Sequence, residues 1–283
     1  MRTSHLSFET QDGVTLAYDD IGSGIPLLCL AGLTRNMDDF EPVVDHFAHR
    51  ARIIRLDSRG RGASQFTDPA TYTIAQESKD ALALLDHLKV DRVALLGTSR
   101  GGLIAMVLAA TAKERLSGVL LNDIGPELDS SGLAHIMTYL GRPCPYSSYS
   151  DAADKLPLAL GPHFSNVSRS LWLTYARRLW SIGPTHLELR YDPQLRDAVE
   201  AAAMDKTPDL WPLFDALCDL PLAVLRGANS NLLSRNCLEQ MQVRRPDMIA
   251  AQVADRGHVP FLDEPESVSV IERFLAQIEE SAA

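Results

Sequence analysis

The segment that most restricts the fold is RVALLG (92–97), which passes through Thr98-Ser99-Arg100 directly into GGLIAMVLAATA (101–112). The first piece is a short apolar run of the kind a strand buried on both faces needs, and the second is a nearly all-apolar helix. The chain must therefore reverse from strand to helix within one tight, glycine-flanked turn. Such a β-α unit requires a sheet on which the helix packs back.

The same rhythm runs through most of the chain. Residues 3–9 and 14–20 alternate apolar and polar around Asp12-Gly13, which predicts an antiparallel hairpin. PLLCL (26–30), RIIRLD (52–57), LSGVLLND (116–123), PLAVLRG (221–227) and residues 248–253 predict further strands. DDFEPVVDHFA (38–48), Ala75 to Leu88, SRNCLEQMQVRR (234–245) and residues 264–281 predict helices. Asp38 or Asp39 is expected to cap the first of these, and Ala81, Leu82, Leu84, Leu85 and Leu88 form the apolar stripe of the second. Residues 127–215 break the rhythm. They hold all three tryptophans (Trp172, Trp180 and Trp211), show no convincing strand, and read as helical fragments such as 168–180. The expected fold class is α/β: a core of residues 1–126 and 216–283, with a mostly parallel sheet and helices on both faces, and an inserted helical cap at 127–215.

Composition narrows the partners. A net charge of −10 argues against nucleic acid and against an anionic membrane surface. No apolar stretch is long enough to span a bilayer. Cys29, Cys144, Cys218 and Cys237 lie far apart without a C-x-x-C, which excludes a disulfide scaffold and a zinc ribbon. The start, MRTSHLSFET, has no apolar signal core, so a cytoplasmic location is the expectation. Gly22-Ser23-Gly24 precedes a strand, Gly60-Arg61-Gly62 lacks a third glycine at the required spacing, and no H-E-x-x-H occurs. Neither a nucleotide cofactor nor a metal is expected. A homodimer is left open.

Chemistry concentrates in Gly97-Thr98-Ser99-Arg100-Gly101, which fits G-x-S-x-G between a strand and a helix. Ser99 stands at the apex as a candidate nucleophile, and a serine needs an adjacent base to take its proton. Among eight histidines, His258 alone lies in a loop that the alternation returns to the same sheet edge. Acyl transfer also needs donors for an oxyanion. Candidates are the N–H of Arg100, just after the serine, and that of Leu33 in the loop Leu30–Asn36.

Together these residues resemble the α/β-hydrolase family over roughly residues 10–125 and 217–280. The similarity is greatest to small capped hydrolases: carboxylesterases, enol-lactonases and meta-cleavage-product C–C hydrolases. Ala31-Gly32 stands where many relatives have His-Gly. The resemblance implies a cofactor-free serine hydrolase acting on an ester, lactone or activated C–C bond of a small molecule. A non-hydrolytic binding protein, or a cofactor-free perhydrolase or haloperoxidase, is the alternative. The resemblance also implies an acid after strand 221–227, where Asn231 takes the aspartate's place. An amide orients an imidazole but does not stabilise the imidazolium, a change that in serine proteases costs about 10⁴ in turnover. Three readings stay open: an inactivated form, a natural weak enzyme or binding protein, or an acid supplied one strand earlier. Asp123, or less directly Glu127, is the candidate for the last, although Asp123 also reads as a structural residue at the turn into the cap.

Arg35 and Arg100 flank the oxyanion loop and the serine, and arginine suits a carboxylate. The expectation is a small acidic substrate under Trp172 and Trp180. The alternative is that both arginines pair with structural acids such as Asp38, Asp39 or Asp57.

Overall fold

The computed structural model describes residues 5–203 and 209–282. Positions 3 and 4 of the first expected strand, which belong to the leading MRTS, and 204–208 of the expected cap lie outside the described residues.

The N-terminal hairpin is β1 (Leu6–Glu9) and β2 (Thr15–Gly22). The alternation follows as β3 (Ile25–Leu30), α1 (Glu41–Phe47), β4 (Ala51–Leu56), α2 (Ile74–His87), β5 (Val93–Thr98), α3 (Arg100–Thr111) and β6 (Leu116–Asn122). A helical segment then intervenes, with α4 (Ser130–Tyr139), α5 (Tyr149–Leu160), α6 (Arg169–Leu179), β7 (Trp180–Ile182), β8 (Leu187–Leu189), α7 (Leu195–Ala203) and α8 (Trp211–Asp215). The chain closes with β9 (Leu222–Gly227), α9 (Arg235–Arg244), β10 (Ile249–Val253) and α10 (Pro265–Ala282).

Among the described residues, eight strands form one sheet in the order β1-β2-β4-β3-β5-β6-β9-β10. The pairs β1–β2 and β2–β4 are antiparallel and the rest are parallel. Successive residues of a strand face opposite sides, so a strand covered on both faces must be apolar at every position. Leu95, Leu121 and Val224 accordingly pack with Ile104, Met106 and Leu108 of α3 on one face. Leu96, Leu120 and Leu225 pack with Val43 of α1 and Ile271, Phe274 and Leu275 of α10 on the other. Each such large side chain, fully buried, contributes about 1.5–3 kcal/mol.

Two local expectations are corrected. Asn36 rather than Asp38 or Asp39 opens the first helical segment: in extended backbone, its Oδ1 accepts from the Asp38 N–H at 3.1 Å. The two aspartates are engaged elsewhere, by Arg190 and Arg35. Residues 127–215 do contain strand, because β7 and β8 pair in register from Trp180↔Leu189 to Ile182↔Leu187. Three-residue strands leave too little room for an alternation to be read. Within this segment, Phe164, Trp172 and Ala176 form a small core that includes Phe261, whose ring stacks on Phe164 at 5.3 Å. Although the expected cap runs to 215, α8 lies against α3, with Phe214 in the core.

Candidate active site

Ser99 joins β5 to α3 at φ 51° and ψ −113°, a conformation costly for a residue with a Cβ. Its surroundings enforce it. A Cβ on Gly97 would lie 2.5 Å from the Gly101 carbonyl carbon, and one on Gly101 would lie 2.1 Å from Leu30 O. Only glycine allows the strand, turn and helix to approach so closely. The Ser99 N–H donates to Asn122 O at 3.0 Å, which ties the turn to the neighbouring strand.

His258, in the loop after β10, has Nε2 2.9 Å from Ser99 Oγ. Its Nδ1 lies 2.7 Å from Oδ2 of Asp123, the residue just past β6. Asp123 is fully buried at φ 56°. Its Oδ1 accepts from the Gly227 N–H at 2.7 Å, and its Oδ2 accepts also from the Ser230 hydroxyl at 2.6 Å.

This corrects the assignment of Asn231. The residue lines the cavity above Ser99, but among the described residues its side chain makes no hydrogen bond to His258. The reason is the sheet order. β6 and β9 are neighbours, with Asn122 opposite Leu225, so the loops that follow them lie about 4.8 Å apart. Either loop can deliver a carboxylate to the same imidazole. Here the β6 loop carries the acid, and the β9 loop supplies the donors Gly227 and Ser230 that hold it. Glu127 is occupied elsewhere, accepting from Trp211 Nε1 at 2.9 Å.

The loop after β3 lies against the serine: a Cβ on Gly32 would be 3.6 Å from the Ser99 Cβ. Gly32 O accepts from the Arg35 N–H at 3.1 Å. Because a trans peptide is planar, the Leu33 N–H points the opposite way. Among the described residues, neither the Leu33 N–H nor the Arg100 N–H has an acceptor. Arg100 also opens α3, whose dipole places partial positive charge there.

The two arginines expected to grip substrate are paired internally. Arg35 bonds Asp39 through Nε at 2.6 Å and lies 4.5 Å over the Tyr175 ring. Burial opposes its charge, but the Asp39 carboxylate outweighs burial and keeps it a guanidinium. Arg35 still lines the cavity, whereas the Arg100 side chain turns away to Glu77 and the Tyr72 carbonyl. Trp180 lines the cavity; Trp172, 2% exposed, belongs to the small core of the intervening segment.

The cavity holds about 480 Å³ between Ser99 and helices α4 to α6. Ile136, Leu156, Leu160 and Trp180 make much of its wall apolar. No aspartate or glutamate is among its described lining residues, although the chain is acidic overall. Arg142 reaches it from the loop after α4, with no carboxylate partner among the described residues. Sequence reasoning missed Arg142, Ser230 and Gly227. It also missed Glu77, although two arginines in Ser58–Gly62 with acids three apart on the next helix, Glu77 and Asp80, were a signal. Among the described residues, no group of three or more His, Cys, Asp or Glu is placed to hold a metal ion. No described helix is long and apolar enough to cross a membrane.

Comparison with known proteins places this geometry. A family model for the alpha/beta hydrolase fold matches residues 25–265. A 3-hydroxybutyrate-oligomer hydrolase of Cupriavidus necator is 32% identical over 257 residues, covering 88% of this chain and 87% of that protein. A 2-(acetamidomethylene)succinate hydrolase of Mesorhizobium japonicum is 26% identical, covering 87% and 85%. The crystal structure of an alpha/beta hydrolase from Novosphingobium aromaticivorans superposes with a TM-score of 0.91 at 36% identity, covering 97% and 98%.

Proposed function

Because this chain belongs to the α/β-hydrolase family, we propose that it is a serine hydrolase cleaving esters of small carboxylate-bearing molecules. One observation carries the reading: the hydrogen-bonded chain from Asp123 through His258 to Ser99, at 2.7 and 2.9 Å. As Ser99 Oγ attacks the ester carbonyl carbon, its proton passes to His258 Nε2, and Asp123 stabilises the resulting imidazolium. The carbonyl oxygen becomes an oxyanion facing the Leu33 and Arg100 N–H groups. Collapse breaks the C–O bond to the alcohol, which leaves with the imidazolium proton. Water, deprotonated by His258, then attacks the acyl-serine and releases the acid. An intact proton relay favours hydrolysis over the non-hydrolytic binding reading and over an inactivated form.

The acidic substrate is supported by the lining. With Arg35 and Arg100 neutralised, Arg142 is the cation available to a carboxylate among the described cavity residues. The two relatives whose names carry 3-hydroxybutyrate and succinate point to the same class. An ester of a short hydroxy acid, such as a 3-hydroxybutyrate dimer, fits an apolar chamber in which, among the described residues, one cation has no carboxylate partner.

The test combines covalent labelling with turnover. A fluorophosphonate is expected to add to Ser99, located by peptide mass spectrometry, and Ser99→Ala to abolish both adduct and hydrolysis. The free-acid dimer is expected to exceed its terminal amide in kcat/KM about tenfold, a preference that Arg142→Ala removes through KM. Absence of a Ser99 adduct and of turnover would overturn the hydrolase reading. Equal kcat/KM for acid and amide would overturn the carboxylate alone.

A further inference from the structure

Two buried charged side chains and a third, partly buried one lie next to the backbone of Leu33 and Arg100. Arg61 and Glu77 are 1% and 2% exposed, and the Arg100 side chain reaches them from the start of α3. Arg61 donates through Nε to the Leu33 carbonyl at 2.9 Å, and through Nη1 to Arg59 O at 2.7 Å and Glu77 Oε1 at 2.9 Å. From the other side, Arg100 donates through Nε to Glu77 Oε2 at 2.9 Å and through Nη2 to Oε1 at 2.8 Å. Its Nη2 also reaches the Tyr72 carbonyl at 2.8 Å.

Leu33 and Arg100 belong to different elements, the loop after β3 and the N-terminus of α3. Among the described residues, no hydrogen bond joins them directly. One carboxylate on α2 connects them through two guanidiniums. From this geometry we infer that Glu77 is the positioning residue of the oxyanion site, fixing the spacing of the Leu33 and Arg100 amides through Arg61 and Arg100. The inference rests on the reading of Ser99 as nucleophile and of these amides as oxyanion donors.

Two further features agree with it. Burial opposes ionisation of Glu77, but Arg61 and Arg100 outweigh it and hold the carboxyl below its ordinary range. The cluster therefore carries two positive charges and one negative, a net positive charge set behind the Leu33 and Arg100 backbone rather than in the cavity. Glu77 itself touches no reacting atom. Its effect is to set distances, and a displacement of about 1 Å at a reacting centre costs on the order of 10²-fold in rate.

The experiment compares Glu77→Gln, Arg100→Leu and Arg100→Lys with wild type. Arg100→Leu keeps the backbone N–H and removes only the guanidinium. The readouts are kcat and KM on p-nitrophenyl acetate, the inhibition constant of phenylboronic acid, and the thermal midpoint. Boronate forms a tetrahedral adduct on a serine and places an oxygen at the oxyanion site, so it reads donor placement directly. Glu77→Gln and Arg100→Leu are expected to lower kcat about 10- to 100-fold with KM within about twofold. Boronate should weaken by a similar factor, and Arg100→Lys should recover part of both. A merely structural role would lower the thermal midpoint and leave kcat and boronate affinity of the folded protein in place, which would overturn the inference. So would a loss expressed only in KM. If Glu77→Gln does not fold, the Arg100→Leu and Arg100→Lys pair decides by the same criteria. A wild type that fails to form a fluorophosphonate adduct at Ser99 overturns the nucleophile reading and this inference together. A labelled wild type with unaffected variants overturns this inference alone.

Discussion

Two buried carboxylates of this chain, Asp57 and Glu77, are balanced in opposite ways. Glu77 sits between two guanidiniums and stays ionised, whereas Asp57 accepts from the Met37 N–H at 2.7 Å and the Ala63 N–H at 2.8 Å. Burial is the largest influence on Asp57 and pushes its pKa from 3.8 up to about 6. Between those values the folded state holds the proton more tightly than the unfolded chain, so stability falls as pH rises. The Asp57 contribution is therefore fully present below pH 3.8 and lost through about pH 6. At 1.36 kcal/mol per pKa unit, it amounts to on the order of 2–3 kcal/mol. Urea midpoints of wild type and Asp57→Asn, measured from pH 4 to pH 7, should show wild type losing stability relative to the variant as pH rises. A difference that moves the other way would mean that the two N–H donors dominate.

Helix α2 shows what apolar periodicity conveys and what it hides. Its stripe of Ala81, Leu84 and Leu85 was legible because 3.6-residue spacing selects one face. Glu77 and Asp80 are equally buried, and their spacing alone resembles a solvated face. They are buried because each meets an arginine of the loop after β4. Arg59, with no exposure, bonds Asp80 through Nε at 2.7 Å and Nη2 at 2.6 Å. Removing Asp80 leaves the buried Arg59 with the half-exposed Asp12, at 3.0 Å, as its remaining carboxylate among the described residues, and so largely uncompensated. Asp80→Ala should destabilise the protein by about 3 kcal/mol in urea unfolding, and adding Arg59→Met should restore most of that loss. Loss from Asp80→Ala below about 0.5 kcal/mol would contradict the burial argument. The same contrast explains the rest of the sequence reading. Strands β3 to β6 and their helices were legible because residues such as Leu95 and Leu96 are apolar for both sheet faces. The β7–β8 pair was not, since register over three residues leaves no periodic trace. The turn at Ser99 was legible because glycine is forced at 97 and 101. The pairing of Asp123 with His258 was not, because the chain alone does not show that the loop after β6 reaches the imidazole until the sheet sets β6 beside β9.

At the scale of the whole molecule, the site is a meeting of three strand ends. Ser99 leaves β5, Asp123 leaves β6 and His258 follows β10, so groups separated by up to 159 positions in the chain come within hydrogen-bond distance. The parallel sheet sends all three turns to one edge, and α4 to α6 roof them with a mainly apolar chamber. The central claim is that Asp123, held by Gly227 and Ser230, is the acid of this relay. It is tested most directly by comparing kcat on an activated ester for wild type, Asp123→Asn and Asn231→Ala. Asp123→Asn is expected to lower kcat by about 10³–10⁴ with KM little changed, while Asn231→Ala stays within about threefold of wild type. An Asp123→Asn enzyme with wild-type kcat, beside an Asn231→Ala enzyme that has lost it, would contradict the account.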